Sequence, residues 1–191
     1  MTATIGVLAL QGGFHLHVQH LQQCGVKVRE IRLPAQLASV DALIMPGGES
    51  TALLTLMTPH LFFPALHTFA TQGKPIWGTC AGMILLAKTV IPSQSSLGLI
   101  DITVERNAYG RQLQSHIVQG DFNPQIFGIS QGEMMFIRAP KITACGSGVT
   151  VLASVNGHPV MVQQGHVIAS AFHPELSAEL HCHQYFIHLI K

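Results

Sequence analysis

Short apolar runs alternate with helix-patterned segments along the first half of the chain. Thr4–Leu10 reads as an apolar strand, Gly12–Cys24 as a helix stopped by Gly25, and Val26–Ile31 as a second strand. Ala42–Met45 is the next strand, followed by a helical segment from Thr51 and another through Leu61–Thr71 behind Pro59. Pro75–Trp77 is again strand-like, and a helix is expected from Ala81 to about Val90. Strands alternating with helices imply a parallel sheet with helices on both faces. The glycine-rich loops after Leu10, Met45 and Trp77 would fall at strand C-terminal ends, where open α/β sheets hold their ligands.

The second half changes character. Strands are expected at Ile100–Val104, Ile117–Gln119, Met134–Ile137, Val149–Val155, Pro159–Gln164 and His166–Ala171. Asn156-Gly157 is a tight-hairpin signal, Gln164-Gly165 marks another turn, and a helix from Ala178 to Ile190 closes the chain. No internal repeat, low-complexity tract or linker divides the sequence, so residues 1–191 are expected to form one domain.

Candidate chemistry sits in the loops. Gly78-Thr79-Cys80-Ala81-Gly82 follows a strand and opens an apolar helix, with the thiol at the bend. Flanking glycines allow a sharp strand–turn–helix elbow and keep side chains off the sulfur. A helix N-terminus beside it favours thiolate over thiol. A buried structural cysteine between packing glycines fits the pentapeptide equally well. Near the other end, Phe172-His173-Pro174-Glu175 follows an apolar strand. Residues two apart in an extended segment project to the same side, so a carboxylate at Glu175 can fix the tautomer and orientation of His173. An ordinary proline turn is the alternative for this tetrapeptide alone. Cysteine and histidine together favour catalysis. Pro46-Gly47-Gly48-Glu49 ends a third strand, and paired glycine amides can form a nest for a negative oxygen. The spacing does not fit a phosphate-binding loop.

Composition narrows the classes. The net charge of the 191 residues is +1 and only 10% are charged, against about 25% in typical soluble domains. Without a basic stripe, nucleic acid is not an expected partner, and so sparse a charge fits a surface partly covered by another chain. Cys24, Cys80, Cys145 and Cys182 show no paired spacing, as in reduced cytoplasmic proteins rather than disulfide or zinc frameworks. No cationic leader or membrane-length apolar run is present. Among the twelve histidines, His15, His17 and His20, or His181 and His183, raise the question of zinc. No His-Glu-x-x-His motif accompanies them, and they are expected to be mostly solvated helix positions, with no metal.

Gly-Thr-Cys-Ala-Gly-Met at 78–83, Pro-Gly-Gly-Glu-Ser-Thr at 46–51 and Phe-His-Pro-Glu-Leu at 172–176 together resemble class I, triad-type glutamine amidotransferases. Three further runs, Gly6–Gly12, Arg106–Gln112 and Phe136–Pro140, narrow the resemblance to the glutaminase subunits of pyridoxal 5′-phosphate synthase, the PdxT/SNO family. The similarity runs essentially end to end. It implies a flavodoxin-like three-layer α/β fold, with a mostly parallel central sheet flanked by helices and antiparallel strands in the C-terminal half.

The resemblance also implies a function: hydrolysis of L-glutamine to glutamate and ammonia through a Cys80–His173–Glu175 triad and a glutamyl thioester. It implies glutamine binding by Gly47, Gly48, Glu49, Arg106, Ile137 and Arg138, and an oxyanion hole from Gly48 and Ala81. No cofactor is implied. The expected partner is a barrel-shaped synthase subunit, twelve copies of each per complex, which receives the ammonia and activates the glutaminase. The Gln11-Gly12 loop is the candidate switch. Two departures stand outside the catalytic motifs: Leu16-His17 replaces a Glu-His pair, and Ser115-His116-Ile117 replaces Ser-Phe-Glu. A glutaminase serving another synthetase, or a non-catalytic binding module of this fold, are the alternatives. The Arg106–Gln112 run argues against the first and the complete triad against the second.

Overall fold

The computed structural model describes residues 3–108 and 115–190. The chain runs through β1 (Thr4–Leu8), α1 (Phe14–Gln23), β2 (Lys27–Ile31), a 3-10 turn at Pro34–Ser39, β3 (Ala42–Met45), α2 (Ser50–Met57), α3 (Phe62–Thr71), β4 (Ile76–Thr79), α4 (Ala81–Leu86) and β5 (Ala87–Ile91). It continues through β6 (Ile100–Glu105), β7 (Ser115–Phe122), α5 (Pro124–Phe127), β8 (Gln131–Ile137), β9 (Lys141–Cys145) and β10 (Thr150–Val155). The last elements are β11 (His158–Gln164), β12 (Val167–Ser170), a 3-10 turn at Pro174–Leu176 and α6 (His181–His188).

The main sheet has the order β2-β1-β3-β4-β12-β11-β10-β7-β8. Neighbours from β2 to β12 are parallel, and those from β12 to β8 are antiparallel. The late strand β12 inserts beside β4, pairing Ser170 with Thr79. That register brings the chain just before Cys80 and the chain just before His173 out of the sheet side by side.

Alternation along β4 explains the layers. Trp77 points to one face and packs on His17 of α1 and Phe186 of α6, with ring centroids 5.9 and 5.7 Å away. Gly78 points to the other, where a Cβ would lie 2.5 Å from the Gly82 carbonyl carbon of α4. Helices therefore cover both faces. Every residue of β3, β4 and β12 is buried, as two-sided coverage requires. Burying each large apolar side chain here contributes about 1.5–3 kcal/mol. In β8 the alternation of buried Gly132, Met134 and Phe136 with more open neighbours marks a sheet covered mainly on one side.

Several boundaries differ from expectation. The helix expected to reach Val90 stops at Leu86, because Thr89, Val90 and Ile91 are β-branched and favour extended backbone. Ala87–Ile91 instead becomes β5, parallel to β6, and β6 pairs antiparallel with β9 in a second, three-stranded sheet. Lys141–Cys145 is too mixed in polarity to stand out as a strand in the sequence. The closing helix starts at His181 rather than Ala178, after a local turn in which the Glu179 N–H donates to Ser177 Oγ at 3.1 Å. Tyr109–Gln112, part of the Arg106–Gln112 run, lie outside the described residues. No helix among the described residues is long and apolar enough to cross a membrane.

Candidate active site

Cys80 sits between β4 and α4 with φ 48° and ψ −101°, a conformation costing a non-glycine residue about 1–3 kcal/mol. Packing holds it there. Its N–H donates to the Ser170 carbonyl at 2.8 Å, extending the β4–β12 pairing one residue past the strand. A Cβ at Gly82 would lie 1.9 Å from the Met45 carbonyl oxygen, so only glycine lets α4 come this close to β3. The expected elbow is present, and the thiol is almost fully covered.

His173 is reached from β12, and its N–H donates to the Met135 carbonyl of β8 at 2.8 Å. Its Nδ1 lies 2.8 Å from Glu175 Oε1. The pair meets around the Pro174–Leu176 3-10 turn rather than along an extended strand, because Pro174 opens that turn at its first position. Nδ1 is thereby committed, leaving Nε2 for the sulfur. Burial opposes the charged ring, but its interactions with the neighbouring Cys80 and with Glu175 outweigh it and push the His173 pKa up to about 10. Burial likewise opposes charge on Glu175. The His17 and His173 imidazoles overcome it and hold the carboxyl well below its ordinary range.

A cavity of about 370 Å³ opens over the sulfur. Gly12, Gly47, Gly48, Glu49, Arg106, Ile137, Arg138, Cys80 and His173 all line it, so the sequence-predicted binding and catalytic residues largely converge. Cys80 Sγ lies 4.0 Å from the Ile137 carbonyl oxygen. A Cβ at Gly47 would lie 2.4 Å from His173 Cε1 and 3.3 Å from Cys80 Cβ, so this glycine lies directly against both, whereas Gly48 faces the Gln11 side chain. Glu49 caps α2, accepting from the Thr51 and Ala52 N–H groups at 3.1 and 2.7 Å and from the Thr51 hydroxyl. Glu175 lies behind the cavity wall, against the imidazole. Ala81 opens α4, where backbone N–H groups lack intrahelical partners. Gln11 Oε1 accepts from the Glu49 N–H at 2.9 Å, and the Gly13 N–H donates to the Gly47 carbonyl at 3.1 Å. Of the non-glycine residues with positive φ, Cys80, Asn107 and Arg138 all border this cavity.

This arrangement supplies a nucleophile, a base oriented by a carboxylate, backbone donors and two arginines around a space for a small polar substrate. The sequence matches the SNO glutamine amidotransferase family over residues 7–191. The chain belongs to that family. It is 47% identical to the pyridoxal 5′-phosphate synthase subunit PdxT of Deinococcus radiodurans, covering 97% of this chain and 96% of that one. Against the protein of the same name from Desulforudis audaxviator the identity is 44%, covering 97% and 98%. A crystal structure of a glutamine amidotransferase superposes with a TM-score of 0.90 at 40% identity, covering 97% and 98% of the two chains. The structure of PurLQS from Thermotoga maritima, at 17% identity, TM-score 0.77 and complete coverage of both chains, is evidence of a common fold alone.

Four residues not named as candidates, Gly13, Ser50, Ile84 and Asn107, also border the cavity. Ser50 and Asn107 fall within quoted motif runs, and Gly13 and Ile84 directly follow two others. The histidines need correcting. His17, His20 and His183 are buried rather than solvated, because they lie on the inward stripes of α1 and α6 against Trp77. His17, taken from sequence as outside the catalytic motifs, touches Glu175: Nε2 is 3.2 Å from Oε2. Among the described residues no group of three or more His, Cys, Asp or Glu is arranged to hold a metal ion.

Proposed function

We propose that this chain is the glutaminase subunit of a pyridoxal 5′-phosphate synthase, hydrolysing L-glutamine and passing ammonia to a synthase subunit. The observation that carries the reading is the convergence of Cys80, His173 and the Gly47-Gly48 turn on one cavity, with Glu175 behind the imidazole, in a chain 44–47% identical to proteins named for that synthase.

Cys80 Sγ attacks the side-chain carbonyl carbon of glutamine, and its proton passes to His173 Nε2. The Gly48 and Ala81 N–H groups receive the developing oxyanion; losing one such donor typically costs about 100–1,000-fold in turnover. As the C–N bond breaks, the imidazolium protonates the leaving nitrogen and ammonia departs. His173 then deprotonates a water that attacks the thioester, the S–C bond breaks, and the proton returns to sulfur with release of glutamate. Glu175 holds the ring throughout. The balance is glutamine plus water to glutamate plus ammonia, with no cofactor. Arg106 and Arg138 suit the substrate α-carboxylate; Gly47, Gly48, Glu49 and Ile137 suit its ammonium and amide.

The Gln11-Gly12 loop is the proposed point of control. Through Gln11 and Gly13 it is bonded to the Gly47–Glu49 turn, so a partner that moves one re-aims the other. Gly12 has φ +94°, a region open to glycine. The whole chain, 1–191, serves as one glutaminase domain, cytoplasmic, in an assembly of twelve glutaminase and twelve synthase subunits, without nucleic acid or membrane.

The test is ammonia release from glutamine by the protein alone, with the cognate synthase, and with Cys80→Ala. Weak activity alone, strong stimulation by the synthase and none in the variant are expected. Equal activity with and without synthase removes the gating. Turnover by Cys80→Ala near the wild-type rate removes the nucleophile assignment.

A further inference from the structure

Behind the triad lies a buried group of ionisable rings that the hydrolysis above does not use. His17 of α1 and His183 of α6 are both fully buried, and His20 nearly so. Placing such groups in a core costs free energy unless they are paired. Their pairing is ordered. His17 Nε2 faces Glu175 Oε2 at 3.2 Å, with Thr79 Oγ1 at 3.4 Å from the same nitrogen. His17 Nδ1 lies 2.9 Å from His183 Nε2. No aligned hydrogen bond reaches Glu175 Oε2, so the electrostatic contact from His17 is what offsets the burial of that oxygen. Oε1 is held separately by His173.

We propose that His17, held by His183, is a positioning residue for catalysis: it clamps the far oxygen of Glu175 and so extends the triad into the five-member line Cys80–His173–Glu175–His17–His183. The proposal rests on Glu175 orienting His173 in glutamine hydrolysis. The chemistry of the ring sets its direction. Nε2 of His17 carries a proton, since a bare lone pair there would oppose the carboxylate. Nδ1 of His17 and Nε2 of His183 then share one proton between them. Burial, with His17 and His20 alongside, keeps His183 neutral by lowering its pKa, and a neutral ring serves as donor to His17. Trp77 closes the group, its ring 5.9 Å from His17 and 5.1 Å from His183. The groups that titrate around Glu175 are His173 and, beyond it, Cys80; His17 and His20 from α1; and His183 from α6, whose own neighbour His181 is paired with Glu179 at 3.0 Å.

The experiment uses the complex with the synthase and the variants His17→Leu, His17→Gln and His183→Leu. It measures kcat and KM for glutamine across pH, with urea midpoints alongside. His17→Leu is expected to lower kcat about 10–100-fold, as loss of outer partners of functional side chains does, with KM nearly unchanged. Its acid limb should move to higher pH, because Glu175 has lost one of its two partners. His17→Gln, which keeps an N–H near Nε2, should recover most of kcat and return the limb toward wild type. His183→Leu, which does not touch Glu175, should shift the limb in the same direction by less. Equal losses in His17→Leu and His17→Gln with an unmoved limb would mean packing damage and overturn the proposal, as would a change confined to KM. If His17→Leu does not fold, an unmoved acid limb in His183→Leu overturns it. None of these outcomes touches the glutaminase reading itself, which stands or falls on Cys80→Ala.

Discussion

Gly82→Ala sets two magnitudes against each other. In an exposed helix the change would stabilise by about 1 kcal/mol, since glycine is a poor helix former. Here the added Cβ would fall 1.9 Å from the Met45 carbonyl oxygen, whereas real Cβ contacts do not come under 3.0 Å. A backbone oxygen at the end of β3, in a residue still paired with Gly78 of β4, cannot swing aside, so α4 must retreat by about 1 Å, and misplacement on that scale costs about 100-fold in rate. Overpacking of this kind typically costs about 1–3 kcal/mol, which outweighs the propensity gain. Cys80 is the residue directly before α4 and moves with it. The expected result is a lower urea midpoint together with a fall in glutamate release of about 100-fold or more in the synthase-bound state. A variant as stable as wild type, with undiminished turnover, would refute the close α4–β3 approach and the role given to it.

Two other outcomes follow from the same geometry. Glu49→Ala removes the side-chain cap of α2 and should cost about 1 kcal/mol of stability while raising KM for glutamine; unchanged values of both would count against the cap and the binding role together. Stability should also peak near pH 6.5. His173 has its pKa raised from 6.5 to about 10 on folding, so its contribution is complete below 6.5 and is lost as pH rises toward 10. His20 and His183 are shifted the other way, chiefly by burial, so below 6.5 they take up protons more readily when unfolded, and stability falls there too. Urea midpoints from pH 5 to 10 check this. Glu175→Gln should flatten the alkaline side, and a wild-type profile already flat between 6.5 and 10 would contradict the His173 assignment.

The parallel half and the glycine-rich loops that border the cavity were legible because their signals are local. Gly78 and Gly82 bracket Cys80 within one pentapeptide, and Gly47-Gly48 follows a strand directly. Strand order was not legible: nothing near Val167–Ser170 says that it pairs with Ile76–Thr79, since that choice is made by burial across the whole core. The stretch from Ala87 to about Val90 reads as helix because its apolar residues continue those of α4, and its β-branched residues together with pairing to β6 decide otherwise. His17 carried a usable signal. Phe14, His17, Val18 and Leu21 share the spacing of a buried helix stripe, but a histidine counts as polar in such patterns. Its role depends on Glu175, more than 150 positions away, and no local rule connects the two.

The pairing of β4 with β12 has a consequence for biosynthesis of the protein itself. Sulfur and imidazole follow strands that touch in space although nearly half of the chain separates them in order of synthesis. A nascent or truncated product that stops short of Val167 has the nucleophile but neither the proton acceptor nor the strand that positions it. Under the proposed mechanism such fragments cannot liberate ammonia, and amide cleavage waits until translation is nearly finished.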